Sequence, residues 1–225
     1  MVLSYKVKYY SDENIAKRVL LAKTNILDSD TRLFIMNLSK TELKVLKSLN
    51  PDIQEICDCL FLGKHMAALT MTNLLFETMI KLTLAYYDAQ GRTIDEDGVE
   101  FENLLENELN VYGEKILSNN IITLWKKGII TESGRDRLLD LKDIFRNPYS
   151  HGSNNDDVNK ATTTIYKGQF GSDVIEECKV PVTGNPDLLL DARRTFVKQF
   201  GLSYFAELIT YIEELDKGLY ELYKK

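Results

Sequence analysis

Residues 65–87 read HMAALTMTNLLFETMIKLTLAYY, and the reading of that stretch decides the fold. It is apolar almost all round, which marks a helix buried in the middle of a bundle rather than one lying on its surface. One thin polar stripe runs down it: Thr70, Asn73, Glu77 and Lys81. A carboxylate on a buried helix needs a partner, because an unpaired one in apolar surroundings is costly. Two are open to Glu77. Lys81 lies one turn on and would keep the acid in water; Arg146 lies far along the chain and would be held toward a cleft. His65 opens the helix and reads as a capping or surface histidine.

The pattern on either side is also helical. Asp52 to Tyr87 forms one helical stretch with a candidate break at Gly63, preceded by a short helix over Thr41–Leu49 that ends near Asn50-Pro51. The segment 28–33 reads as a polar connection, 15–26 as a helix, and 1–10 as a half-buried strand with Leu3, Tyr5, Val7 and Tyr9 on one side. Downstream come an acidic loop, an amphipathic helix over Phe101–Leu117 and a short one over Ile121–Gly128. The last carries Trp125, more naturally a core residue than a platform for a base. A further helix starts at Thr131–Gly134 and carries Leu138, Leu141 and Phe145 on one face. Beyond a polar loop, 152–160, Thr162–Phe170 and Val174–Val182 read as two strands around Gly171-Ser172. Asn185-Pro186-Asp187 then starts a closing helix, with a capping side chain, a proline in the first turn and an acid at the positive end. Leu208, Ile212, Leu215, Leu219 and Leu222 form a heptad seam along it, expected to pack within the bundle. The fold expected is mainly α, with a small β-hairpin or sheet added.

Chemistry concentrates in Phe145-Arg146-Asn147-Pro148-Tyr149-Ser150-His151-Gly152. Arginine is a permanent cation whose planar fork matches phosphate oxygens, and histidine titrates nearest neutral pH. Together they form a minimal kit for cutting RNA without a metal. Five residues along a straight helix turn through about 500°, leaving the two side chains roughly 140° apart. Pro148 is expected to kink or stop the helix near Asn147, and convergence of Arg146 and His151 needs that break or a second copy of the chain.

The stretch LKDIFRNPYSHG after a long apolar helix resembles the HEPN families, helical domains whose Arg-polar-x3-His motif is associated with metal-independent RNase activity. The match rests on Arg146, Asn147 and His151, and the helical layout fits over about 55–152 and 186–223. The resemblance implies a HEPN-like bundle in a single domain, 1–225, with its helical core over about 40–152 and 186–223 and a hairpin insertion over about 161–183. It implies a homodimer through the motif region, with two copies of the motif meeting, and a toxin, phage-defence or RNA-processing role beside an antitoxin or defence partner protein. Arg146, His151 and Asn147 are the catalytic candidates; Glu77, Ser150 and Tyr149 are supporting ones. RNA is the expected substrate, and no cofactor or metal is expected. The rival reading keeps the shape without the activity: a helical interaction or ligand-binding module in which Arg146, Asn147 and His151 only tie down a helix end.

Composition sets limits. Of 225 residues, 44% are hydrophobic and 28% charged, ordinary for a soluble domain. No apolar run reaches membrane-spanning length and the start lacks the apolar core of a signal peptide, so no membrane partner and a cytoplasmic location are expected. Cys57, Cys59 and Cys178 lack zinc-ligand spacing and read as reduced thiols. The net charge of −6 argues against a general nucleic-acid coat protein. It is unevenly spread: Asp95–Glu114 holds eight acids and no base, while Lys115–Gly152 holds seven bases against four acids. The motif sits in the basic part, although both segments also suit plain solvated helix faces.

Overall fold

The computed structural model describes residues 28–89, 107–150, 162–168, 175–181 and 186–224. These are mainly helical. Helix α1 (Ser29–Leu38) leads through a bent segment and a 3-10 turn (Lys47–Leu49) to α2 (Asn50–Phe61) and α3 (His65–Asp88). A helix α4, described over 107–113, α5 (Leu117–Lys126) and α6 (Glu132–Leu141) follow. The chain then passes through a π turn (Lys142–Arg146) into a last helical turn, Asn147–Ser150. Strands β1 (Thr162–Gly168) and β2 (Ile175–Pro181) pair antiparallel, Thr162 opposite Pro181 and Gly168 opposite Ile175. Helix α7 (Pro186–Tyr223) closes the order. The strand expected over 1–10, the helix over 15–26 and the loop 152–160 lie outside the described residues.

The apolar stretch at 65–87 is the centre of the bundle. Leu69, Leu75, Phe76, Met79, Ile80, Leu84 and Ala85 are buried, with α2, α5 and α7 packed against the helix that carries them. Burying each of the Leu, Ile, Phe and Met side chains stabilises the fold by about 1.5–3 kcal/mol, so this one helix anchors three others. On α7, Leu208, Ile212, Leu215 and Leu219 are buried and Leu222 packs at the core's edge. The heptad seam is therefore covered within the same chain.

Two local readings need correcting. Residues 28–33 are not a connection: Asp28 caps α1, its carboxylate accepting from the Thr31 amide at 2.9 Å and the Thr31 hydroxyl at 2.7 Å. The polar composition of that stretch is the composition of a helix start. Thr41–Leu49 is not one helix either: 41–46 is bent, and only Lys47–Leu49 forms a 3-10 turn. Its bend is held from outside by Asp216 on α7, whose buried carboxylate accepts from the amides of Lys44 (2.9 Å), Val45 (2.8 Å) and Leu46 (2.8 Å). Pro51 then falls in the first turn of α2, where a missing N–H costs nothing.

Gly63 does break the helical stretch. It adopts φ 67°, its amide donates to Leu60 O at 3.0 Å and the Lys64 amide to Cys59 O at 2.8 Å. That pairing satisfies the last carbonyls of α2 and needs a left-handed residue, which glycine supplies without strain. Gly128, φ 72°, ends α5 in the same way, with Ile129 N donating to Leu124 O at 3.0 Å. No described helix is long and apolar enough to cross a membrane.

Candidate functional site

Helix α6 begins at Thr131, whose hydroxyl accepts from the Gly134 amide at 3.1 Å. Leu138, Leu141 and Phe145 then point into the core, which fixes the face that Arg146 presents. Pro148 does not stop this helix. The amide of Asn147 donates to Lys142 O, five residues back, so the chain widens into a π turn and resumes as a helix over Asn147–Ser150. In an α-helix the proline ring would collide with the carbonyl four residues back; a wider turn supplies the room. The outcome is a phase shift of the motif.

The phase puts Arg146 on α3. Its Nε and Nη2 approach the same oxygen, Oε1 of Glu77, at 2.8 and 2.6 Å, with side chains only 16% and 25% exposed. Of the two partners open to Glu77, the distant one holds it, and Lys81 makes no ion pair among the described residues. Nη1 of Arg146 lies 3.4 Å from Asn147 Oδ1, and Asn147 Nδ2 donates to Asp143 Oδ1 at 2.8 Å. Asn147 thus bridges the guanidinium and the preceding turn.

Beneath the pair sits a second polar layer. Asn73, one turn before Glu77 on α3, donates to Phe145 O at 3.3 Å and accepts from the Tyr204 hydroxyl at 3.0 Å. The Tyr204 ring stacks on Phe145, centroids 4.3 Å apart and planes within 4°. Burial raises the Tyr204 phenol well above its ordinary range, with nearby Arg146 opposing and Glu77 reinforcing the shift. Tyr204 is therefore a neutral donor that fixes Asn73.

Tyr149 is half-buried beside Phe196 of α7, its hydroxyl 3.5 Å from Arg193 O. Burial pushes its phenol up to about 12, with Arg193 pulling the other way. That makes Tyr149 a packing residue with a hydroxyl at the rim. Ser150 ends the helical turn; its side chain, and His151, lie outside what the structure describes. The convergence of Arg146 with His151 therefore lies outside it too.

No protein-family model, no curated protein and no solved structure matches this chain. The reading of the site rests on its own geometry.

Three residues near the motif carried little sequence signal. Asn73 belongs to the polar stripe on the central helix, but nothing local ties it to Phe145. Tyr204 sits in an apolar helix like any core aromatic. Arg193 lies beside Tyr149, and its buried Nε has no hydrogen-bond partner among the described residues. Trp125 is neither core nor open platform: it is 36% exposed and the Arg135 guanidinium covers its ring at 4.3 Å. Arg135 is itself held by Glu132 and Asp136. Burial, with Asp58 adding to it, pushes the Cys57 thiol up to about 12, leaving it inert at neutral pH. Among the described residues no group of three His, Cys, Asp or Glu side chains gathers to hold a metal ion.

Proposed function

We propose that this chain is a metal-independent endoribonuclease of the HEPN type acting as a homodimer, with Arg146 and His151 as its working groups. The observation that carries the reading is the anchoring of Arg146. Two of its nitrogens rest on Glu77 Oε1, so a permanent cation is held rigidly in the π turn, five residues before His151 in the sequence. A guanidinium fixed before substrate arrives pays no reorganisation cost when charge builds on a pentacoordinate phosphorus.

In this mechanism His151 deprotonates a ribose 2′-hydroxyl or protonates the leaving 5′-oxygen, and Arg146 neutralises the phosphorane. Attack by the 2′-oxygen yields a 2′,3′-cyclic phosphate and a 5′-hydroxyl and leaves DNA uncut. One imidazole does not easily act as base and acid in one step, so the motif of a second copy supplies the other. Asn147 positions the guanidinium through its side-chain oxygen. A toxin, phage-defence or RNA-processing setting with a partner protein accords with the resemblance of the motif.

The test is RNA cleavage in EDTA. His151→Ala and Arg146→Ala should each lower the rate by about a hundredfold or more, and a 2′-deoxy substrate should resist. Cleavage that survives both substitutions removes the reading.

One observation favours the rival, a non-catalytic helical module. The Arg146–Glu77 pair joins two helices through the core's edge, which is a sufficient structural reason for both residues. Under that reading the wild type is inactive on every RNA, while both variants lose stability.

A further inference from the structure

The first turn of α3 lies about 18 Å along its axis from Glu77, at 1.5 Å per residue. Here two cavities of about 390 and 400 Å3 share a wall made of His65 and Lys198. The first is bounded by Ile35 of α1, Leu60 of α2, and Gln199, Leu202 and Ser203 of α7. The second runs over Gly63–Ala67 to Arg194. Neither cavity belongs to the Arg146 site.

The charges facing this space are lopsided. Lys64, His65, Arg194 and Lys198 are cationic or able to become so, and Asp28 is the one carboxylate among the lining residues. Both oxygens of Asp28 are taken up by the Thr31 amide and hydroxyl. Arg194 reaches Asp191 only at 3.4 Å on the exposed side. His65 and Lys198 make no hydrogen bond or ion pair among the described residues, yet they face each other across the cavity wall. Burial lowers the pKa of His65, and the Lys198 ammonium lowers it further. Two like groups placed together repel, with Asp28 as the one carboxylate among the described lining residues, and a dianion between them would turn repulsion into two attractions.

We propose that this double cavity is a binding site for a small phosphomonoester, its phosphate held between His65, Lys198 and Arg194 and its apolar body against Ile35, Leu60 and Leu202. The phosphate accepts from the imidazolium and the ammonium, and the guanidinium fork closes on it from the second cavity. The apolar wall selects esters over inorganic phosphate. The site works independently of the Arg146 chemistry, so either can fail without the other.

The chain holds two histidines, so histidine-labelled NMR gives two ring signals, and His151→Gln assigns them. The full chain is titrated with pH in chloride, in inorganic phosphate and in phenyl phosphate, at matched ionic strength. In chloride, His65 should titrate below 6.5, its ordinary value. Saturating phenyl phosphate should raise its midpoint by about one unit, the shift expected when an ion pair replaces a repulsion. Phenyl phosphate should bind roughly tenfold more tightly than inorganic phosphate, as its buried ring adds apolar contact. The exposed Lys198→Gln change should weaken binding about tenfold, the loss of one charge-assisted contact, without altering the far-UV spectrum. An unmoved His65 midpoint overturns the proposal. So does equal affinity for the two phosphates, or full binding by a folded Lys198→Gln, Arg194→Gln double variant.

Discussion

Arg146 and Glu77, sixty-nine positions apart, meet on a single carboxylate oxygen, with Nε at 2.8 Å and Nη2 at 2.6 Å. The contact joins the π turn to the central helix and gives the guanidinium one orientation. A charge-assisted contact this far out of water contributes about 1.5–3 kcal/mol. Arg146→Ala and Glu77→Ala should each lower unfolding free energy in urea by that order. A double-mutant cycle should return a coupling of about 1–2 kcal/mol. Additive effects would mean the pair is decorative.

The carboxylate of Asp216 accepts three amide protons from residues 44–46. Asp216→Ala leaves three donors unpaired at a site with little water, and each lost bond of this kind costs about 1–2 kcal/mol. The expected loss is about 3–5 kcal/mol by urea melting. Asp216→Asn keeps an acceptor but loses the charge and should cost less. Amide exchange at Lys44, Val45 and Leu46 should quicken more than exchange in α3.

Tyr204→Phe removes a hydroxyl and leaves the Asn73 amide oxygen buried without that donor. The cost should be about 1–2 kcal/mol, with the ring stack on Phe145 retained. Asn73→Leu in the Tyr204→Phe background should not recover it, since the Phe145 carbonyl then loses the Asn73 amide as a donor. Thermal melts of the single and double variants check this.

Acid should weaken the fold through His65 and Asp28. Both folded pKa values are depressed, His65 by burial and Lys198, Asp28 chiefly by the Thr31 amide. A depressed pKa contributes stability above the unfolded value and loses it as pH falls through the folded one. The His65 loss begins as pH drops through 6.5, its unfolded value, and that of Asp28 only below 3.8. His65→Gln should flatten the upper part of the melting-temperature profile and leave the lower part intact.

The long apolar helix and the closing helix are legible because their patterns are global. Almost every face of 65–87 is apolar, and the seam from Leu208 to Leu222 repeats over several turns. Single contacts from distant residues are not legible. The stretch 41–49 carries helix-forming residues, but a carboxylate 170 or more positions away pins its amides into a bend. Asp28 marks a helix start in the same letters that spell a loop. Pro148 announces a disturbance without saying which one, since a stop, a kink and a widened turn all relieve the same collision. Glu77 has a local lysine at the right spacing, so only coordinates could assign it to Arg146.

The tie between Asp216 and residues 44–46 also orders events during synthesis. The ribosome releases the 44–46 segment some 170 residues before the carboxylate that closes it. Until α7 emerges, three amides wait on solvent and the oily flank of α3 has no cover from that side. A nascent chain paused in that interval is the form a chaperone would meet, so slowing translation ahead of codon 216 should lengthen its dwell on such a helper without changing the finished protein.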